Sequence, residues 1–199
     1  MNPSFRRLRL ALSLPRLLPH LLLFAWTPRR AVIAADLTRW AEILHLGPVV
    51  SAADLGRVFV MLMTFTPEYR TLFYLRVGPV SLPVRWLCRG RRNLSIVAER
   101  IGPGLFIQHG EETYVSARSI GADCWIARHV VVGYSNDSDV PSIGDNVRIY
   151  SGAKIVGRLT VGDGATIGLN TVILNDVEPN VTMLGVPGKV VWRGRPAGN

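Results

Sequence analysis

One histidine stands apart in the C-terminal half of the chain: His109, in the run Ile107-Gln108-His109-Gly110, followed by Glu111 and Glu112. An imidazole titrates near neutral pH, so a histidine on a shaped surface can move a proton. A lone histidine can equally be structural, and two glutamates on a turn can equally be a solvated face. His129, in Ala127-Arg128-His129-Val130, either lines the same site or sits on the surface. His20 and His45 read as helix-surface residues. A zinc site of three converging histidines is not available, because only His109 and His129 lie in this half; no metal is expected. Cys88 and Cys124 form no CxxC pair and no disulfide framework, which fits a reducing, cytoplasmic setting. The phosphate-loop and dinucleotide-binding glycine patterns are absent.

His109 must be positioned by what surrounds it, and its surroundings are periodic. Apolar residues return every six positions: 120, 126, 132; then 143, 149, 155; then 161, 167, 173, with 101 and 107 before them. Many are followed by glycine, as in Ile101-Gly102, Ile120-Gly121 and Ile143-Gly144. Two residues before most of these positions stands a small or apolar residue, among them Leu105, Cys124, Ala153 and Ala165. Cys124 is therefore expected in the core, and Trp125 outward, where it can serve a subunit interface. A six-residue beat describes short flat strands, three to a triangular coil, with stacked coils burying a continuous interior. An α-helix would need 3.6-residue spacing and would not tolerate this glycine density. The beat lapses twice, between 107 and 120 and between 132 and 143. Extra residues in a solenoid are expelled at corners. The lapses hold His109 to Glu112 and the polar run Tyr134 to Pro141, and both are candidate site walls.

The first half reads differently. Residues 1–100 carry fifteen arginines and five acidic residues, net +10, whereas residues 101–199 carry net −1. Such asymmetry suits an anionic partner, or reflects composition bias, since nearly every cation is arginine. Residues 1–35 are leucine-rich and basic, interrupted by Pro15, Arg16, Pro19 and His20. Three readings stand for them: an interfacial amphipathic helix, a helix docked on its own protein, and a signal or membrane span. Leu37, Trp40, Ile43 and Leu44, then Leu55, Val58, Phe59 and Leu62, repeat at helical spacing. Ser51 with Asp54 resembles an N-terminal cap, and Pro67-Glu68 a helix start. Pro79 and Pro83 should break helicity. Cys88 to Arg92 reads as a solvated basic connector; without aromatic interleaving or zinc spacing no nucleic-acid contact is expected.

The run Ile101-Gly102-Pro103-Gly104-Leu105-Phe106-Ile107-Gln108-His109 and the closing Leu184-Gly185-Val186-Pro187-Gly188-Lys189 resemble the hexapeptide-repeat acyltransferases, in their serine acetyltransferase branch. The resemblance covers roughly residues 95–195. It implies a left-handed parallel β-helix, a homotrimer or dimer of trimers, and acetyl transfer from acetyl-CoA to a hydroxyl at a site between subunits. It makes His109 the general base. It places acetyl-CoA contacts at Gly133, Tyr134, Ser151, Gly152 and Leu169, with Lys189, Arg193 and Arg195 near the CoA phosphates. Where the branch has a carboxylate before the histidine this chain has Gln108. Where it has an upstream orienting carboxylate this chain has Leu94, flanked by Asn93 and Ser95. Where it has an arginine–histidine pair this chain reads Asp139-Val140-Pro141. Glu111 or Glu112 then orients His109 or binds the acceptor.

The expected protein is mainly β with an α-helical N-terminal region. A basic arm spans 1–35, a helical region with basic linker 36–92, the β-helix 93–180 and a tail 181–199. Its expected function is serine O-acetyl transfer on the cysteine-biosynthetic route. The alternative acceptor is a sugar or polysaccharide precursor, with the arm against the inner face of the membrane. A non-catalytic scaffold is the rival class.

Overall fold

The computed structural model describes residues 3–136 and 139–194, without the side chains of Pro3, Arg6 and Arg7. The chain divides into two compact units, Met1–Arg92 and Asn93–Asn199.

The first unit is helical: α1 Pro3–Trp26, α2 Arg30–Ile43, α3 Ala52–Phe65, α4 Pro67–Val77 and a 3-10 helix Gly78–Val84. α3 starts on the expected signal, since Ser51 accepts from the Asp54 N–H and Asp54 accepts from the Ser51 N–H. Pro67 opens α4 at its first position. Pro79 and Pro83 end the α-helix, yet the chain continues as a 3-10 turn rather than as coil. The core is a cluster of rings in which Phe59 packs edge-on against Tyr69 and Phe73 and stacks with Phe24 of α1. Every fourth or third residue of α1 points inward: Ser13, Leu17, His20 and Phe24 are all buried. Ser13 shares a hydrogen bond with Thr64, and His20 bonds the Tyr74 hydroxyl at 2.9 Å. His20 is therefore a core residue and not a surface one, because its polar ring finds a partner 54 residues away. Burial holds its pKa below the ordinary histidine value, partly offset by backbone carbonyls. His45 is exposed, just past the end of α2.

The run Cys88 to Arg92 is tied down rather than a free connector. Cys88 is buried, Arg91 pairs with Glu68, and the Arg91 N–H donates to Thr71. Arg76 and Asp36 form a buried bidentate pair at 2.8 and 3.1 Å.

The second unit is a parallel β-solenoid of about five turns. It opens with two eight-residue strands, β1 Leu94–Ile101 and β3 Thr113–Ile120, paired along their length. One face stacks β2 Phe106–Ile107, β4 Trp125–Ile126, β7 Arg148–Ile149, β10 Thr166–Ile167 and β12 Val181–Leu184. The next stacks the start of β3, β5 Val131–Gly133, β8 Lys154–Val156 and β11 Val172–Ile173. The remaining face stacks the end of β3, β6 Ser142–Ile143 and β9 Thr160–Val161. The beat residues Ile126, Val132, Ile143, Ile149, Ile155, Val161 and Ile167 are all buried in the interior. Cys124 is buried there too, and burial pushes its thiol pKa up to about 12. Trp125 is half-buried, its ring 4.6 Å from that of Phe106.

The glycines after the beat residues mark where corners stack backbone on backbone. A methyl at Gly121 would meet the carbonyl of Gly144 in the next coil. The solenoid closes with β13 Lys189–Arg193, which folds back antiparallel on β12.

Candidate functional site

The first lapse of the beat is where the chain leaves β2. The Gln108 N–H still donates to Ile126 in the neighbouring coil, and then the backbone turns left-handed at His109, Gly110 and Glu112. Thr113 re-enters the sheet, its hydroxyl bonding the carbonyls of Glu111 and Ala127. Val115 supplies the third apolar position of this coil, opposite Val132. The spacing from Ile107 is therefore eight residues, and from Val115 to Ile120 it is five. The surplus sits entirely in the His109 turn, and the next corner vanishes because β3 runs straight through it.

His109 is exposed at the outside of this turn. Among the described residues its imidazole makes no hydrogen bond, so its ring is open to an incoming group. Glu112 accepts from the Asn93 side chain at 2.8 Å. Leu94, beside Asn93, is buried in the sheet and cannot supply an orienting carboxylate.

Backbone hydrogen bonds run from this turn along one edge of the solenoid. His129 N–H donates to Glu111, Gly152 N–H to Arg128, and Asn170 N–H to Ser151. His109, Glu111, Glu112, His129, Ser151, Gly152 and Leu169 thus share one edge, with Gln108 at its start. The edge is built from left-handed residues: His109, His129, Gly152 and Asn170 all have positive φ. Gly152 needs glycine, since a Cβ there would strike the Asn170 side chain. Asn170 and Asn93 were not singled out from sequence; Asn93 is visible only as a flank of Leu94, and Asn170 carries no signal.

Gly133, Tyr134 and Asp139 fall elsewhere, at the other end of the face formed by β5, β8 and β11. Here the described residues on either side of the second lapse bond to one another. Asn136 donates from its side chain to Asp139 at 3.0 Å, and the Asp139 N–H returns to the Asn136 carbonyl. Asp139 therefore closes its own loop. Tyr134 is exposed, and a side chain added at Gly133 would meet nothing. Lys189 is exposed on β13, while Arg193 pairs with Glu178. Arg195 lies outside the described residues.

The carboxylates of the corner after β1 and its stacked equivalents are structural: Asp145 accepts from the Ala122 N–H and Asp163 from the Asp145 N–H. Among the described residues no group of His, Cys, Asp or Glu is arranged to hold a metal ion.

No protein-family profile matches the chain. It is 34% identical over 98 residues to a serine acetyltransferase of Synechococcus elongatus, a stretch covering 47% of this chain and 40% of that protein. The chain thus spans less than half the length of the curated relatives it matches. A soybean serine acetyltransferase solved with serine is 26% identical, with a TM-score of 0.63 and coverage of 84% of this chain and 72% of that one. A Brucella abortus serine acetyltransferase solved with coenzyme A has a TM-score of 0.63 at 22% identity, over 87% of this chain and 72% of that one. The last likeness is one of fold.

Proposed function

We propose that this chain is an acetyl-CoA-dependent O-acetyltransferase of the serine acetyltransferase type, with L-serine as acceptor and His109 as general base. The observation that carries the reading is the His109 turn: an exposed imidazole held in a left-handed bend, at the head of the edge that bears Ser151, Gly152 and Leu169. The sequence similarity to serine acetyltransferases points the same way.

In this reading the imidazole takes the proton from the serine hydroxyl as its oxygen attacks the thioester carbonyl carbon. The carbonyl π pair moves to oxygen, and backbone N–H groups of the edge stabilise that charge. The pair returns, the carbon–sulfur bond breaks, and the imidazolium gives its proton to the departing thiolate. The products are O-acetylserine and coenzyme A.

His109 and the Gly133-Tyr134 pair stand at opposite ends of one face within a single chain. A site using both therefore draws its second wall from a neighbouring copy, so the proposed enzyme is a trimer or a dimer of trimers. A cytoplasmic setting accords with the free, buried thiols of Cys88 and Cys124.

The test is thiol release from acetyl-CoA across a panel of acceptors, with serine against amino and neutral sugars. Serine-dependent release is expected. Release that follows a sugar instead would refute the acceptor, and release independent of any acceptor would refute the transferase reading. Sedimentation equilibrium reads the assembly state, and a monomer would overturn the shared site.

A further inference from the structure

Helix α1 has two apolar sides, and the first unit uses only one. Ser13, Leu17, His20 and Phe24 pack inward. At 100° per residue the opposite stripe carries Leu8, Leu12, Leu18, Leu22 and Trp26. These are exposed at 56, 72, 59, 52 and 81%. The stripe continues off the helix, because Leu22 and Trp26 share an apolar cleft of about 510 Å³ with Val80 of the 3-10 helix. An exposed apolar strip of this length marks an interaction surface.

Charge selects the partner. The first unit carries fourteen arginines and four acidic residues. Each acid already has an arginine within the unit: Asp36 with Arg76, Glu68 with Arg91, Asp54 with Arg57 and Glu42 with Arg39. The arginines of this unit outnumber its carboxylates by ten. Arg85, Arg89 and Arg92 line one hollow of about 300 Å³ beside Thr71. A second copy of this chain would bring the same excess of positive charge to the contact. A nucleic acid would leave the leucine stripe in water. An anionic phospholipid surface satisfies both halves, taking the leucines at its acyl boundary and the arginines at its phosphates.

We propose that the outer stripe of α1, with Val80 beside it, docks the protein on an anionic bilayer, the helix lying in the membrane interface. Leu8–Trp26 is long and apolar enough to cross a membrane by length and composition. Crossing would strip Ser13 from Thr64 and His20 from Tyr74, however, and undo the stacking of Phe24 on Phe59. The docked geometry keeps those contacts and still covers the leucines. The inference stands on the first unit alone and does not depend on acetyl transfer.

The experiment is co-sedimentation of the full chain with vesicles of phosphatidylcholine alone or mixed with phosphatidylglycerol. Binding is expected to the mixed vesicles only, and to weaken as salt is raised. The variant L12Q/L18Q/L22Q, at exposed positions, should keep the wild-type circular dichroism and lose at least about tenfold in vesicle affinity. Trp26→Gln alone should weaken binding in the same direction. The proposal is overturned if the wild type stays in the supernatant, if neutral vesicles bind it equally, or if the triple variant binds unchanged. A triple variant that changes oligomeric state with vesicle binding intact would assign the stripe to a second copy and overturn it too.

Discussion

Replacing His109 separates chemistry from folding, because the structure makes the two effects unequal. His109 sits at φ 65°, a conformation that asparagine tolerates and alanine does not. Its side chain is exposed and makes no hydrogen bond among the described residues. His109→Asn therefore removes the imidazole at a stability change of no more than about 0.5 kcal/mol. His109→Ala adds a left-handed alanine and costs about 1–2 kcal/mol. Loss of a general base slows the chemical step about 10²- to 10⁴-fold, equivalent to about 2.7–5.5 kcal/mol of barrier. Both variants should thus lose the same large factor in kcat while their thermal midpoints differ, with the KM for acetyl-CoA little changed. Thiol release under saturating serine and acetyl-CoA measures the first, and circular dichroism the second. The reasoning is refuted if His109→Asn retains wild-type kcat, or if the activity of the two variants follows their stability.

Four further outcomes follow from packing and charge. Gly121→Ala should destabilise by about 1–3 kcal/mol by denaturant midpoint, since its methyl meets the Gly144 carbonyl. Gly133→Ala meets nothing, should stay within about 0.5 kcal/mol, and should act instead on the KM for acetyl-CoA if that glycine faces the substrate. Arg76→Met strands the buried Asp36 carboxylate and should cost about 3–5 kcal/mol, much of which Asp36→Leu in the same chain should restore. His20 has a folded pKa below its unfolded value near 6.5, so the unfolded chain binds the extra proton first as pH falls. Stability should then be full above about pH 6.5 and decline below it. A His20→Gln chain should show a flatter thermal midpoint across that window, and an equal slope in both proteins would exclude His20 as the cause.

The β-solenoid was legible because each coil repeats one local rule: an apolar residue every six positions, with glycine where corners stack. Val115 escaped that rule because it stands eight residues after Ile107 and five before Ile120, and only the register opposite Val132 reveals it. The His109 turn was legible as a lapse of beat, whereas its left-handed backbone and the link from Glu112 to Asn93 depend on the neighbouring strand pair. His20 misled for the same reason in reverse. Leucines around it set a local pattern, but Tyr74 decides its burial from another helix. Arg91 likewise reads as solvated until Glu68 is brought beside it. Local periodicity reaches the reader through sequence; pairings between distant side chains do not.

The ladder of backbone bonds along the His109 edge begins at Glu111, in the solenoid's first complete coil, and proceeds through Arg128 and Ser151. A solenoid behaves as a one-dimensional chain of rungs, each coupled to its nearest neighbours. Opening such a chain starts at its terminal rungs, where fewer couplings must break. At the far end the antiparallel β13 seals the stack. At the near end the seal is the long pairing of β1 with β3, seven residue pairs in one register. That pairing is the brace of the His109 turn, so a substitution that loosens β1, far from any reacting atom, would first be felt as slack in the imidazole.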